Sequence, residues 1–143
     1  MVLVFCALIL TGKSEEDYVQ WHFYLGYFLS GLLVMRLLYG VFGAKGARFR
    51  AFVKGPFALF AYLKALLSGR APHYLGHNPL GALMVVTLLL LMLFQVASGL
   101  VSSDEVFWYG PMYEWVSDDL QESLASWHAI VPDVLLALVG FHI

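Results

Sequence analysis

Three long apolar stretches constrain the fold of this chain more than any other feature of its sequence. Residues 19–43 contain a single charged side chain, residues 79–101 contain none, and residues 124–143 again contain one. A helix that crosses a membrane needs about 20 predominantly apolar residues. Each stretch reaches that length, so the sequence predicts three membrane-spanning helices.

A fourth apolar run opens the chain, but it has only about half of the required length. Met1–Thr11 lacks the basic residues and the A-x-A-like cleavage site of a signal peptide, so we interpret it as part of a membrane helix. The last stretch also ends within apolar sequence, just after His142. We therefore expect a longer chain, in which the first and the fourth helix continue.

The predicted fold class is all-α, with one domain over residues 1–143. It is an up-and-down transmembrane four-helix bundle with partial helices at 1–11 and 124–143 and full helices at 19–43 and 79–101. Short interfacial helices are expected in the loops at residues 57–67 and 111–121, because both segments are apolar at helical spacing but too short to cross a membrane.

Composition agrees with a membrane location and excludes several classes of protein. Hydrophobic residues make up 61% of the chain and charged residues only 13%, whereas soluble domains have about 25% charged residues. The net charge of −2 argues against nucleic acid as a partner. The single cysteine, Cys6, excludes an intrachain disulfide and a metal site built from cysteines.

The distribution of charge along the chain predicts its orientation. Residues 36–70 hold seven basic side chains and no acid, whereas residues 71–143 hold seven acids and no base. Cytoplasmic loops of membrane proteins carry an excess of Lys and Arg. We therefore expect loop 44–78 in the cytoplasm and loop 102–123 on the outer, periplasmic side.

Two histidines inside the predicted spans point to a cofactor. His22 lies about three residues into the second helix from the outer side, and His128 about four residues into the fourth, so their depths are similar. Ionisable residues within membrane spans are rare and usually functional, and neutral imidazole is a good axial ligand for haem iron. His22 and His128 are candidate ligands of one haem iron; structural or proton-relay histidines are the alternative.

A third histidine extends this pattern towards the inner side. His142 follows His128 by 14 residues, so both side chains face nearly the same way, roughly 21 Å apart along the helix. That spacing suits two cofactors stacked across the membrane. None of the complete helices supplies a histidine partner at the depth of His142, and the missing start of the first helix would lie there.

Two residues of the second span each have two interpretations. Arg36 lies 14 residues after His22, near the inner side, and either binds a haem propionate or extends to the cytoplasmic interface. Gly26 lies one turn after His22 on the same face. Its missing side chain either leaves room for a flat macrocycle or allows two helices to pack closely.

Three other polar residues have open roles. Asp133 lies one turn after His128 and either belongs to a proton pathway or bonds to backbone freed by Pro132. His73 and His77 lie in the inner loop with no carboxylate nearby, so we expect them at the membrane interface, with His77 near the edge of the inner haem.

Four stretches of the sequence resemble the family of bacterial cytochrome b561 and the b-type cytochrome subunit of nickel–iron hydrogenases. They occur in the order of the family and cover most of the chain: WHFYLGYFLSGLLVMRLLYGVFG, ARFRAFVKGP, GRAPHYLGHNPLGALM and SWHAIVPDVLLALVGFHI.

The resemblance implies a four-helix bundle of the bacterial inner membrane that binds two b-type haems through histidines of helices 1, 2 and 4. Onto this sequence it carries over His22, His128 and His142 as ligands of haem iron. The helix 1 ligand, which the family has in an R-x-x-H-W-like stretch, has no counterpart in this sequence. At most one bis-histidine site is therefore complete here.

The implied function is electron transfer across the membrane, between the quinone pool and a redox partner on the outer face. That partner is a c-type cytochrome or a hydrogenase-like enzyme, and membrane lipid surrounds the bundle. Two imidazole ligands leave no open position on the iron, so we expect an electron-transfer subunit without catalytic residues. A haem-free membrane anchor and a proton-coupled transporter using Asp133 and His142 remain the alternatives.

Overall fold

The structure, a computed structural model, describes residues 1–14, 18–74 and 76–142, so Ile143 of the predicted fourth span lies outside the described residues. These residues form six α-helices and a short 3-10 turn, Tyr113–Trp115. The helices are α1 (Val2–Gly12), α2 (Val19–Phe42), α3 (Phe49–Phe52), α4 (Pro56–Leu67), α5 (Pro79–Leu100) and α6 (Asp118–His142).

The predicted all-α class is confirmed. The described part of the chain contains helices and a single isolated β-bridge between Ser103 and Tyr109, but no β-strand. The described helices α2, α5 and α6 are long and apolar enough to cross a membrane, while α1 and α4 are shorter apolar helices. A four-helix bundle of α1, α2, α5 and α6 follows from these lengths and from their packing.

The ends of α6 and α4 refine the sequence prediction. Helix α6 begins at Asp118, six residues before the predicted span, with Asp118 and Asp119 in its first turn. Carboxylates at this end interact favourably with the helix dipole, which extends the helix into the acidic loop. Helix α4 agrees with the predicted interfacial helix and begins with Pro56 in its first turn, where proline needs no backbone donor.

The predicted outer helix over residues 111–121 is wrong. Only Tyr113–Trp115 form a 3-10 turn, and Val116 is extended, with φ −127° and ψ 155°. The side chain of Gln121 explains this break, because its Nε2 donates to the carbonyl oxygen of Tyr113 at 2.6 Å. This bond satisfies a carbonyl that a continuous helix would pair with a backbone N–H.

The four bundle helices pack as a chain of neighbours. Helix α5 lies most extensively against α6, α1 lies against α2, and α2 contacts α5. Their shared core contains Leu29 and Leu33 of α2 and Leu135 of α6, all almost completely buried, with Phe5 and Met92 beside them. Many large apolar side chains cover the outside of the bundle, as expected for a surface that faces lipid.

Local hydrogen bonds fix the start of α5, at the end of the bundle that the charge pattern predicts to be cytoplasmic. This end is called the inner end, and the opposite end the outer end. The Oδ1 atom of Asn78 accepts a bond from the backbone N–H of Gly81 at 2.8 Å, and Pro79 occupies the first turn. An asparagine cap followed by proline is a strong start signal for a helix. It places His77 at the inner end of the bundle, directly before α5.

The outer loop closes over the other end of the bundle. The Oδ1 atom of Asp104 accepts hydrogen bonds from the backbone N–H groups of residues 106–108 at 2.7–3.0 Å. Desolvation acts to raise the pKa of Asp104, but these backbone donors outweigh it, so the pKa lies below the usual aspartate value. The turn holds Trp108 against Phe23 and Tyr24 at the outer end of α2.

Candidate functional site

A cavity of about 420 Å³ lies between α1, α2, α5 and α6, next to the outer loop. Its walls are mostly apolar, and both His22 and His128 line it. Ligand pockets in proteins typically measure about 300–1,000 Å³ and combine apolar walls with a few polar groups. This cavity is therefore the candidate site of the molecule.

The structure brings His22 of α2 and His128 of α6 together in this cavity. Their ring centroids lie 6.2 Å apart, and the ring planes are nearly perpendicular, at 85°. Two imidazoles that bind one metal ion from opposite sides, through bonds of about 2 Å, have ring centres about 6 Å apart. The observed spacing fits such a shared ion.

The hydrogen bonds of His22 determine which of its ring nitrogens is available. Its Nδ1 lies 3.1 Å from the carbonyl oxygen of Leu8 and 3.3 Å from Oγ1 of Thr11. A carbonyl oxygen only accepts, so Nδ1 must carry the proton and donate. The neutral ring then has its lone pair on Nε2, which is the atom left for a ligand.

The ring of His128 contacts a side chain instead. Its Nδ1 lies 2.9 Å from Oγ of Ser98, which also lies 3.0 Å from the carbonyl oxygen of Gln95. When Nδ1 of His128 carries the proton, it donates to this hydroxyl and the hydroxyl donates to the carbonyl, so all three groups are paired and the lone pair is on Nε2. Metal-binding histidines usually donate their second ring N–H to such a partner.

Glycines make room for both rings. A Cβ atom added at Gly12 would lie 2.8 Å from Cε1 of His22, and one added at Gly99 would lie 2.8 Å from Cε1 of His128. Both distances are shorter than real Cβ contacts allow. The backbones of α1 and α5 thus approach the two imidazoles more closely than any other residue type would permit.

Gly26 faces open space instead. A Cβ atom there would meet nothing within 4 Å, and Gly26 lines the cavity. The interpretation of Gly26 as a site of close helix packing is therefore wrong, because no neighbouring helix in the described part of the chain comes that near. Open space beside an α2 backbone that borders the cavity remains compatible with a flat macrocycle.

The polar groups around Pro132 have partners that the sequence did not predict. Pro132 has no N–H to offer the carbonyl of His128, and Nε2 of Gln95 donates to that oxygen at 2.9 Å. Asp133 does not bond to this backbone. Its Oδ1 lies 2.6 Å from Nζ of Lys13, and both side chains are more than half exposed.

A second histidine pair lies at the inner end of the bundle. The rings of His142 and His77 lie 6.5 Å apart and are nearly parallel, at 10°. Phe52 of α3 packs on the His77 ring at 5.3 Å. The sequence predicted a partner for His142 only on a helix, whereas in the structure the ring beside it is that of His77, from the loop that precedes α5. His73 is exposed at the inner surface.

Arg36 lies near this inner end. Its guanidinium Cζ lies 5.3 Å from the ring centroid of Phe49. Its Nη1 atom is buried and has no hydrogen-bond partner among residues 1–14, 18–74 and 76–142. A buried guanidinium nitrogen without an acceptor is unfavourable, so an anionic group is a chemically suitable partner for it.

The donor set favours a macrocyclic cofactor over a bare metal ion. In the described part of the chain, no group of three or more His, Cys, Asp or Glu side chains is arranged to hold a metal. Bare ions such as Zn²⁺ usually take three or four protein ligands. Two histidines suffice for a haem iron, whose macrocycle supplies the remaining ligands.

Four residues in contact with the candidate ligands were not predicted from the sequence: Gly12 and Gly99, which make room for the rings, and Gln95 and Ser98, which bond to His128. A usable signal was present for the last two, because Gln95 and Ser98 are polar, three residues apart and inside the most apolar span. Polar residues within spans usually face the bundle interior.

Of three comparisons with known proteins, the one with protein families gives a match. No curated protein and no solved structure matches the chain. The family described as prokaryotic cytochrome b561 matches the chain over residues 1–143. With three of its described helices able to cross a membrane and a histidine-lined cavity within the bundle, this chain belongs to the prokaryotic cytochrome b561 family.

Proposed function

We propose that this membrane b-type cytochrome holds a haem b between His22 and His128 and carries electrons across the membrane. Membership of the cytochrome b561 family supports haem b binding and electron transfer in general terms. The observation that carries the specific proposal is the outer histidine pair. Both Nδ1 atoms are occupied by hydrogen bonds, and the rings are 6.2 Å apart in an apolar cavity.

The residues present fit this role. Haem b supplies reversible one-electron exchange when it is bound. His22 and His128 would each give a neutral ring nitrogen to the iron, and two protein ligands would leave no open position for oxygen to bind. The mostly apolar walls keep the polarity around the centre low, and the Asp104 turn holds the loop that borders the cavity.

A second haem is proposed at the inner end, with His142 as its ligand from this chain. Support comes from the family pattern, from the 14-residue spacing between His128 and His142, and from the buried Nη1 of Arg36. In this role Arg36 pairs with a haem propionate. His77 lies beside His142 and borders the same region.

The proposed electron path links the quinone pool to a partner on the outer face, a c-type cytochrome or a hydrogenase-like enzyme. It requires the bacterial inner membrane, with loop 44–78 cytoplasmic and loop 102–123 periplasmic. The basic block at 36–70 supports this orientation. A reporter fused near Lys54 should behave as cytoplasmic and one near Glu114 as periplasmic; the reverse pattern would overturn the assignment.

The haem proposal is tested by single substitutions and visible spectra of the purified chain. His22→Ala and His128→Ala should each remove the same haem, because each leaves the iron one ligand short. His73→Ala, at an exposed inner-loop position, should keep the spectrum of the parent. A parent chain with no b-type band would favour the haem-free anchor, and loss of two different haems would refute the pairing.

A further inference from the structure

Two buried polar side chains of α5 have His128 as a common partner. Gln95 and Ser98 are 9% and 1% exposed and are the buried polar residues of the described chain. Burial of polar groups in a membrane bundle is unfavourable unless they are hydrogen-bonded. Nε2 of Gln95 and Oγ of Ser98 make such bonds to the backbone and the ring of His128 on the neighbouring helix, whereas Oε1 of Gln95 has no partner among the described residues.

Gln95 compensates for the proline in α6. In a regular helix the carbonyl of His128 would accept from the backbone N–H four residues later, but residue 132 is proline. The Nε2 of Gln95 replaces that donor at 2.9 Å. Gln95 therefore fixes the backbone of His128 at the position where α6 has lost one of its own hydrogen bonds.

Ser98 fixes the ring of the same residue. Its Oγ lies 2.9 Å from Nδ1 of His128 and 3.0 Å from the carbonyl oxygen of Gln95. With His128 bound to a metal through Nε2, Nδ1 carries the proton and this hydroxyl accepts its hydrogen bond. Removing the hydroxyl would leave that N–H without this acceptor. Nδ1 of His22 bonds to a backbone carbonyl, that of Leu8, which a substitution does not remove. Of the two rings, His128 is therefore the one whose Nδ1 bond can be removed by changing a single side chain.

We propose that Ser98 and Gln95 are positioning residues for the haem at His22 and His128, and that Ser98 lowers the reduction potential of that haem. The inference rests on the proposed function. An acceptor on Nδ1–H makes an imidazole a stronger donor through Nε2. A stronger donor stabilises ferric iron more than ferrous iron, so removal of the acceptor raises the potential.

The test compares the purified full chain with Ser98→Ala, Ser98→Thr and a control, Ser126→Ala. Ser126 lies on α6, two residues from His128, and its exposed hydroxyl bonds only within its own helix, to the carbonyl of Glu122. Haem content, the reduced-minus-oxidised spectrum and the midpoint potential are measured for each chain.

Ser98→Ala should weaken haem binding about 10- to 100-fold, in the range found for outer-shell partners of metal ligands. The midpoint potential of the haem should rise in this variant. If the affinity for ferric haem falls ten times more than the affinity for ferrous haem, the rise is about 59 mV for one electron. Ser98→Thr keeps a hydroxyl and should retain the parent potential, as should Ser126→Ala. If Ser98→Ala binds too little haem to titrate, Ser98→Cys, a weaker acceptor, should show a smaller rise.

Gln95 is tested through its dependence on proline. Gln95→Leu should lower haem content, and adding Pro132→Ala should restore much of it, because alanine returns an N–H donor to the carbonyl of His128. Equal haem loss in the single and the double variant would contradict the role assigned to Gln95.

The outcomes separate this inference from the proposed function. A parent chain without haem, or a His128→Ala chain that keeps its bis-histidine spectrum, would refute the haem site itself. A haem-loaded Ser98→Ala chain with the potential of the parent would leave the haem site standing and overturn the role of Ser98.

Discussion

Replacing Gly99 by alanine tests how tightly α5 packs on the proposed ligand. The new Cβ would lie 2.8 Å from Cε1 of His128, whereas ordinary contacts begin at 3.4 Å, so the ring must move by about 0.6 Å. Functional groups in preorganised sites are held to within about 0.5 Å. The required movement therefore exceeds the tolerance of the site.

The ring cannot move freely, because Nδ1 of His128 is bonded to Ser98, the residue next to Gly99 on the same helix. Either the hydrogen bond lengthens or the helices separate. In the first case haem affinity should fall about 10- to 100-fold. In the second, overpacking should destabilise the bundle by about 1–3 kcal/mol.

The assay measures haem per chain from the reduced-minus-oxidised spectrum of detergent-purified protein, with thermal unfolding followed in parallel. Gly31→Ala is the matched control, since a Cβ there meets nothing within 4 Å. Gly12→Ala should reproduce the Gly99→Ala effect from the other side, because its Cβ would lie 2.8 Å from Cε1 of His22. Full haem content and unchanged unfolding in Gly99→Ala would refute the close approach.

Other positions test the cavity, the outer loop and the inner end. Gly26→Leu should leave folding intact, because the space beside Gly26 is open, but lower haem content; undiminished haem would place the macrocycle elsewhere. The lowered pKa of Asp104 means that its support of the loop is complete above about pH 3.9 and is lost as the pH falls through the lower folded value. The fluorescence of Trp108 should change over this pH range in the parent chain. It should not change in Asp104→Asn, because asparagine accepts the same hydrogen bonds without titrating. The same pH profile in both chains would contradict the role of Asp104. His142→Ala should keep the bis-histidine spectrum of the outer haem, and its disappearance would refute two separate sites.

The length of the apolar runs determined most of the fold. Spans at 19–43 and 79–101 differ from α2 and α5 by one residue at one end, because a helix in lipid must satisfy every backbone group within itself. Outside the membrane spans this constraint does not apply, and there the predicted helix bounds were less accurate. The outer segment 111–121 has helical spacing but is interrupted at Val116, since one side chain, Gln121, bonds to a carbonyl that a continuous helix would have used.

Depth along the spans likewise placed His22 near His128, because the rise of a helix per residue is fixed. Sequence could not show that Ser98 and Gln95, some 30 residues away, would hold His128, or that Lys13 would pair with Asp133 across 120 positions. The sequence also did not show that the ring of His77 would lie beside that of His142.

The difference has a single physical origin. Hydrophobic length and helical rise are local properties, and each residue contributes to them independently of the rest of the fold. A hydrogen bond between helices depends on the rotation and crossing of both, which the packing of side chains such as Leu29, Leu33 and Leu135 fixes only once all helices are assembled. The sequence therefore decided which helices cross the membrane and at what depth the histidines lie, and the tertiary structure decided which polar atoms meet there.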